Sequence, residues 1–328
     1  MKTMMNKYLP EGMLCALPEN AEWLSSPAAM EKAMLQGRIL EAPAILCDEN
    51  LTLTVRLGGG IRGVIPREEA AFISGGELKE VAILSRVGKP VCFKILRFEQ
   101  DERGLPRPIL SRRAAMEECL REKLYLCRPG DILPARVTHL EPFGAFVDVG
   151  CGVVSLLSID CISVSRISHP SDRFAPGNLI RTVVRSIDPL TGRICVSHKE
   201  LLGSWAENAA RFTPGQTVSG IIRSVEDYGV FVELAPNLAG LAEARGDLRP
   251  GQVAAVYVKS ILPARMKIKL VVIDAYESGE PPRRALPLPE YFLPPEVEHI
   301  DFWQYSPPEC PRRIYTDFAA EEELLREA

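Results

Sequence analysis

The feature that most constrains the fold of this chain is an internal repeat. The segment RPGDILPARVTHLEPFGAFVDVG begins at Arg128, and the segment TPGQTVSGIIRSVEDYGVFVELA begins at Thr213. The same offset of 85 residues separates their opening Pro-Gly pairs and their internal aromatic-Gly pairs. Equal offsets at two landmarks predict a structural unit that occurs at least twice.

Each copy has the alternation of a half-buried β-strand. The apolar face of the first segment holds Ala145, Val147 and Val149, and the opposite face holds Phe146 and Asp148. The second segment places Val230, Val232 and Leu234 opposite Phe231 and Glu233. Both copies therefore place a large aromatic residue on the polar face of a predicted strand.

A fainter copy precedes these two. In the segment LTLTVRL, leucine and valine alternate with Thr52, Thr54 and Arg56. Its last predicted strand ends at Ser111, as the corresponding strand of the next copy ends at Ser197. This copy lacks the paired aromatic residues.

These segments resemble the S1 RNA-binding domain family, a five-stranded barrel of the oligonucleotide-binding (OB) type. That family has a Pro-Gly start, an aromatic-Gly-x-Phe-Val-acid motif and a closing Arg-hydrophobic-x-hydrophobic-Ser. The middle copy matches at Pro129-Gly130, at Phe143-Gly144-Ala145-Phe146-Val147-Asp148 and at Arg193-Ile194-Cys195-Val196-Ser197. The last copy matches at Pro214-Gly215 and at Tyr228-Gly229-Val230-Phe231-Val232-Glu233, but has Lys267 where the family has arginine. Both copies lack a histidine that is common in the family.

The resemblance implies a mainly β protein of tandem five-stranded OB-fold barrels, joined by short helices and followed by a Pro-rich acidic tail. We expect a degenerate S1-like barrel over 34–111 and S1 barrels over 127–197 and 212–275. The remaining expected segments are an N-terminal extension over 1–33, linker helices over 112–126 and 198–211, and the tail over 276–328. The first barrel, without the aromatic pair, is interpreted as a protein-docking or spacer barrel.

The resemblance also implies that the barrels bind single-stranded RNA. Bases stack on aromatic side chains, so Phe143, Phe146, Tyr228 and Phe231 are the candidate platforms. A bulge or bend at Gly144 or Gly229 is needed to bring both rings of a pair to one surface. The candidate phosphate contacts are Arg185 and Arg193 in the middle copy and Arg223, Lys259 and Lys267 in the last.

The charge distribution is compatible with a polyanionic partner, although the net charge is −4. Residues 276–328 hold 5 basic and 12 acidic residues, which leaves 34 basic and 31 acidic residues in the rest of the chain. The body of the protein is therefore mildly basic.

Other function classes leave no signal in this sequence. No apolar run reaches the roughly 18 residues of a membrane span, and no secretory signal follows the first residues. The nine cysteines form no CxxC pair, which favours reduced thiols in the cytoplasm. The four histidines stand in no metal or triad spacing, and no phosphate loop occurs. We expect no catalytic site, cofactor, metal or small-molecule substrate.

Two functions remain open. The first is an RNA-binding protein of translation, which binds messenger RNA through the last two barrels and contacts a partner such as the small ribosomal subunit through the first. The second is a protein-binding adaptor, or an RNA-gripping accessory of a ribonuclease or multi-enzyme complex. The paired aromatic residues favour the first function, whereas the polar first copy and the acidic tail favour the second.

Overall fold

A computed structural model of the chain describes residues 7–73, 78–101, 104–188, 191–277 and 290–320. Three closed five-stranded barrels follow one another along the chain, and a two-stranded hairpin follows the third barrel. The predicted mainly β architecture of tandem OB-type barrels is confirmed. No helix in the described ranges is long and apolar enough to cross a membrane.

The strands group by barrel in chain order. The first barrel contains β1 (Leu40–Cys47), β2 (Leu53–Arg56), β3 (Arg62–Ile65), β4 (Pro90–Gln100) and β5 (Pro106–Ser111). The second contains β6 (Ile132–Glu141), β7 (Gly144–Asp148), β8 (Val154–Ser158), β9 (Leu179–Ile187) and β10 (Ile194–Ser197). The third contains β11 (Thr217–Glu226), β12 (Gly229–Ala235), β13 (Leu238–Ala242), β14 (Val253–Leu262) and β15 (Lys267–Tyr276). The hairpin is formed by β16 (Phe302–Gln304) and β17 (Tyr315–Asp317).

All three barrels have the same topology. Their first three strands form an antiparallel meander, the fifth pairs in parallel with the third, and the fourth closes the barrel against the first. Alternate side chains of each strand fill the barrel, including Leu53 and Val55 in the first, Val147 in the second, and Val230 and Val232 in the third.

Short helices connect and cover the barrels. They are α1 (Pro18–Trp23), α2 (Pro27–Leu35), α3 (Glu80–Leu84), α4 (Arg112–Glu122) and α5 (Trp205–Ala209). Helix α4 begins after Ser111, whose hydroxyl accepts a hydrogen bond from the Ala114 N–H at 2.8 Å. The expected helix over 198–211 is instead a 3₁₀ turn at Lys199–Leu202 followed by α5, because the intervening Gly203 has a φ of 78°.

Residues 7–17, here called the N-terminal strap, join the first barrel to the second through Glu11. Its carboxylate binds Arg112 of α4 at 2.6 and 3.1 Å, Arg86 at 3.3 Å and the backbone N–H of Cys92 at 3.1 Å. Its own backbone N–H donates to Asp148 of β7 at 2.7 Å. Burial alone would raise the pKa of Glu11, but Arg112 and Arg86 outweigh it and hold that pKa below its ordinary value.

Residues 290–320, here called the C-terminal strap, join the second barrel to the third. The N–H of Ile132 on β6 donates to the carbonyl of Glu298 at 2.8 Å, which fixes the strap to the second barrel. The hydroxyl of Tyr305 donates to the carbonyl of Asn237 in the third at 2.5 Å. The sequence predicts an extended acidic tail over 276–328 that is partly ordered against the last barrel; its described part, residues 290–320, packs against the second barrel as well as the third. Residues 278–289 and 321–328 lie outside the described ranges.

His198 is a buried contact of this C-terminal strap. Its Nδ1 lies 3.0 Å from the carbonyl of Ile162 and its Nε2 lies 3.3 Å from the hydroxyl of Tyr291. A carbonyl only accepts, so Nδ1 carries the proton and Nε2 accepts from the tyrosine. Burial lowers the pKa of His198 to about 4, because the imidazolium is not solvated there.

We predict that Glu11→Gln destabilises the pairing of the first two barrels. The change leaves the guanidinium of Arg112, whose side chain is 5% exposed, without its carboxylate. Breaking a buried ion pair in this way typically costs about 3–5 kcal/mol in the free energy of unfolding. Chemical denaturation measures the loss, and Glu22→Gln, at an exposed position of α1, is the matched control. Equal stabilities for the two variants would contradict the role of Glu11.

We also predict acid destabilisation through His198. Its pKa is lower in the folded chain than the ordinary 6.5, so its contribution is complete above pH 6.5 and is lost as the pH falls towards 4. A shift of this size corresponds to about 3 kcal/mol. Denaturation between pH 7.5 and 4.5 should show that His198→Gln removes this part of the pH dependence. The exposed His139→Gln is the control, and an unchanged pH slope in His198→Gln would refute the prediction.

Candidate nucleic-acid interface

The aromatic rings of each predicted pair lie in contact at the surface. In the second barrel the centroids of Phe143 and Phe146 are 6.0 Å apart and the rings are nearly perpendicular at 89°. In the third, Tyr228 and Phe231 are 6.1 Å apart at 84°. Phe143 is 55% exposed and Tyr228 is 71% exposed, so each pair presents ring surface to solvent.

A tight turn, and not a bulge at the glycine, brings the rings together. Glu141 pairs with Gly144 across the β6–β7 turn, so Phe143 is the second of two turn residues and Phe146 lies two residues into the strand. A Cβ at Gly144 would lie 2.5 Å from the carbonyl oxygen of Leu157, so only glycine permits this approach of β7 to β8. The register irregularity falls in the neighbouring strand, between Val137 and His139.

The second ring of each pair belongs to a row of outward side chains across the barrel. In the second barrel Phe146 lies opposite His139 on β6 and opposite Leu156 on β8, and Leu156 lies beside Cys195 on β10. The rings of His139 and Phe146 are 6.4 Å apart and nearly parallel. His139 was not selected from the sequence, because only the pairing register places it next to Phe146.

The third barrel contains the corresponding row. Phe231 lies opposite Ser224 and Leu241, and Leu241 lies beside Lys269 on β15. Lys269 is exposed and was also missed from the sequence. Its position two residues after Lys267 on a regular strand was the available signal, because such residues share a face.

The five cations predicted from sequence have different environments. Arg193, Lys259 and Lys267 are exposed, and Arg193 lines a groove with Phe146. Arg185 is exposed and donates to the Cys161 sulfur at 3.1 Å. All four side chains are exposed on the second and third barrels.

Arg223 differs, because its guanidinium is engaged between two barrels. Its Nε donates to Glu233 at 2.6 Å and its Nη1 lies 3.2 Å from Asp172 of the second barrel. Arg173, also of the second barrel, donates to the same Glu233 oxygen at 2.7 Å. Burial alone would raise the pKa of Asp172, but Arg223 outweighs it and lowers that pKa.

The acids of the two motifs are buried, although the alternation predicts that they face outward with the polar side. Asp148 is 1% exposed and Glu233 is 6% exposed. Each lies on the outer side of its barrel, where a neighbouring part of the chain covers it. Burial and the charge of Glu11 raise the pKa of Asp148 to about 7. The hydrogen bonds that Asp148 accepts from backbone N–H groups lower this pKa but do not outweigh them. The alternation along a strand reflects burial within one barrel. It does not reveal that another part of the chain covers the outer side of that barrel.

Asn237 completes the contact between the second and third barrels. Its side-chain oxygen Oδ1 accepts a hydrogen bond from the N–H of Val164 at 2.9 Å. Its amide nitrogen donates to the carbonyls of Lys199 at 2.8 Å and Gly203 at 3.0 Å. The side chain is fully buried, so these bonds fix one relative placement of the barrels.

The first barrel lacks an aromatic pair. Thr54 occupies the position of Phe146, since it lies between Leu46 and Val64 as Phe146 lies between His139 and Leu156. Along this row Leu46, Thr54 and Val64 therefore offer no ring for stacking.

The fold and the exposed rings define a class of protein, a tandem OB-type barrel protein with an aromatic surface suited to nucleic-acid bases. A sequence model of the S1 RNA binding domain matches residues 127–199. The middle barrel is therefore an S1 domain, and the predicted resemblance is confirmed.

The chain is also homologous to bacterial ribosomal protein bS1. The bS1 homologue of Bacillus subtilis is 29% identical over 257 residues, which covers 75% of this chain and 62% of the relative. The bS1 homologue of Bacillus cereus is 30% identical over 256 residues, covering 76% and 62%. This chain thus spans somewhat less than two thirds of these relatives.

A solved structure of a multidomain protein with nucleic acid binding domains from Streptococcus pneumoniae also matches. The identity is 17%, the match covers 73% of this chain and 74% of that one, and the TM-score is 0.23.

We predict that Glu233→Gln loosens the third barrel from the second. The variant leaves Arg173, whose side chain is 5% exposed, without its carboxylate, at a cost of about 3 kcal/mol or more. Limited proteolysis and thermal unfolding should then show the third barrel unfolding at a lower temperature than the rest. Glu243→Gln, at an exposed position of the same barrel, should leave both profiles unchanged. If both variants and the parent chain unfold in a single transition at the same temperature, the role of Glu233 in holding the third barrel to the second is contradicted.

Proposed function

We propose that this protein binds single-stranded RNA through its second and third barrels. On this proposal it acts in translation as an S1-like, messenger-RNA-binding protein associated with the ribosome. The observation that carries the proposal is the aromatic pair, exposed at the same place in two consecutive barrels. The S1 domain at 127–199 and the homology to bS1 support RNA as the nucleic acid.

The chemistry of the two rows suits single-stranded RNA. Each ring of a pair offers a face or an edge to a base, and stacking contributes about 1–3 kcal/mol per base. In this proposal Arg193, immediately before β10 in the second barrel, and Lys267 with Lys269 on β15 in the third contact phosphates. This contact mode discriminates little between sequences.

In this proposal the first barrel contacts a protein partner, such as a component of the small ribosomal subunit. Thr54 occupies the position where the other barrels carry the second ring, Val64 lies beside it, and Leu46 at the end of that row is 56% exposed. The protein supplies binding and no catalytic chemistry, and it works in the cytoplasm without a cofactor.

The test is equilibrium binding of a fluorescent single-stranded RNA across a salt series. We predict that Phe143→Ala with Phe146→Ala, and separately Tyr228→Ala with Phe231→Ala, each weaken binding by about 30-fold or more, since each change removes two stacking rings. The combined variant should bind at background level. Circular dichroism establishes that each variant is folded.

Tyr276→Ala is the matched control. Tyr276 is 56% exposed at the end of β15, seven residues beyond Lys269, so its removal should leave affinity unchanged. Absence of binding by the intact chain, or equal affinity for the ring variants, would reject the RNA proposal. The adaptor function would then become the working hypothesis.

A further inference from the structure

Two neighbouring grooves lie beside the contact between the second and third barrels. The first, of about 530 Å³, is lined by Ile159, Asp160 and Lys199 and, from the C-terminal strap, Ile314. The N–H of Ile159 donates to the carbonyl of Phe143 at 2.9 Å, so this groove begins at a residue bonded to the backbone of the first ring residue of the second barrel.

The second groove, of about 380 Å³, contains the rings of the third barrel. Tyr228 and Phe231 line one side of it, with Ser224 of the same row. Residues 165–168 of the second barrel line the other side. The aromatic pair of the third barrel therefore faces a loop of the preceding barrel.

The loop 165–167 lines both grooves, which makes them adjoining parts of one surface depression. Arg166 is the exposed cation of this loop. Within the described ranges its guanidinium forms no hydrogen bond and no ion pair, so its donors face solvent. A guanidinium carries five N–H donors in a planar fork that matches a phosphate.

Among the charged side chains around the depression, Arg166 is a cation whose guanidinium can bind a ligand. Arg223 lines the second groove but is neutralised by Glu233 and Asp172. The ammonium of Lys199 lies 3.4 Å from the carbonyl of Asp160 and adds a second positive charge to the first groove. Asp160 and Glu226 are the acids at the edges.

The barrels that form the depression are held in one arrangement. The bonds of Asn237 to Val164, which precedes the loop, and to Lys199, which lines the first groove, fix this part of the second barrel against the third. The ion pair between Arg173 and Glu233 lies beside it and is buried. A ligand that spans both barrels therefore meets a preformed path, which reduces the entropy lost on binding.

We propose that the two aromatic pairs are the ends of one path for a single RNA strand, with Arg166 contacting a phosphate between them. The inference rests on the proposed function and adds to it a composite site. One strand lies across both barrels, and a residue of the second barrel binds the backbone of RNA stacked on the third.

The first test compares Arg166→Ala with Lys32→Ala, which removes an exposed cation on α2 of the first barrel. One phosphate contact to a single strand contributes about 0.7 to the slope of log K against log salt, or about five-fold in affinity at 0.1 M salt. We expect Arg166→Ala to lower the salt slope by about 0.7 and the affinity about five-fold. Lys32→Ala should leave both the salt slope and the affinity unchanged. Arg166 is exposed, so its replacement does not threaten folding.

The second test places one photoreactive thiouridine at successive positions of a single-stranded RNA long enough to reach both pairs. Central positions should crosslink to peptides from residues 159–168, terminal positions to the two ring-bearing strands, and one strand should bind per chain. Arg166→Ala should lower the central crosslink most.

The outcomes separate this inference from the proposed function. If the intact chain binds no RNA, the proposed function fails, and this inference fails with it. If the ring variants lose binding while Arg166→Ala keeps affinity and salt slope, or if two strands bind per chain, the barrels act as separate sites and only the continuous path is rejected.

Discussion

The buried carboxylates of the two repeats are the constraint on which the arrangement of barrels depends. Asp148 and Glu233 are equivalent in sequence, each two residues after the second ring of its motif, and each lies where its barrel meets the preceding part of the chain. Asp148 accepts from the N–H of Glu11, and Glu233 accepts from Arg173. The equivalent position in the first barrel is Arg56, which is exposed. The motif therefore supplies an outward-facing ring and, two residues further along, an anchor to the neighbouring unit.

The anchors have a functional consequence, because they fix the spacing of the aromatic surfaces. Flexibly linked barrels would bind one strand with a gain set by the effective concentration that the linker allows. In the proposed path, barrels fixed by Glu233 and Asn237 present their rings as one preformed surface instead. The straps complete this arrangement, since one packs between the first two barrels and the other between the last two. Ordering of these segments is thus linked to the geometry of the binding surface.

The sequence predicted the parts of the structure that a single barrel determines. The 85-residue repeat indicated the barrels, and the period-two alternation placed Val147 and Val232 in the cores and Phe146 and Phe231 outside. It did not predict that Asp148, Glu233 and Arg223 are buried or paired, because their partners come from other units of the chain. His139 and Lys269 join the rows through strand register, which a pattern read along one strand does not contain. Arg166 was missed because its loop carries no motif.

The composition of the last segment predicted an extended tail, partly ordered against the last barrel. Trp303, Tyr305 and Phe318 are buried and hold residues 290–320 against the barrels. Scattered aromatic residues determine the packing there, because each buries a large apolar area while the acids remain at the surface.

The most direct test of the account is a map of the amide chemical-shift changes of the nitrogen-15-labelled chain on titration with a single-stranded RNA. The account predicts changes centred on β7, β12 and the loop 165–168, together in one titration, with little change in β2 and β3 of the first barrel. Changes confined to one barrel, or centred on the first barrel or the C-terminal strap, would contradict it.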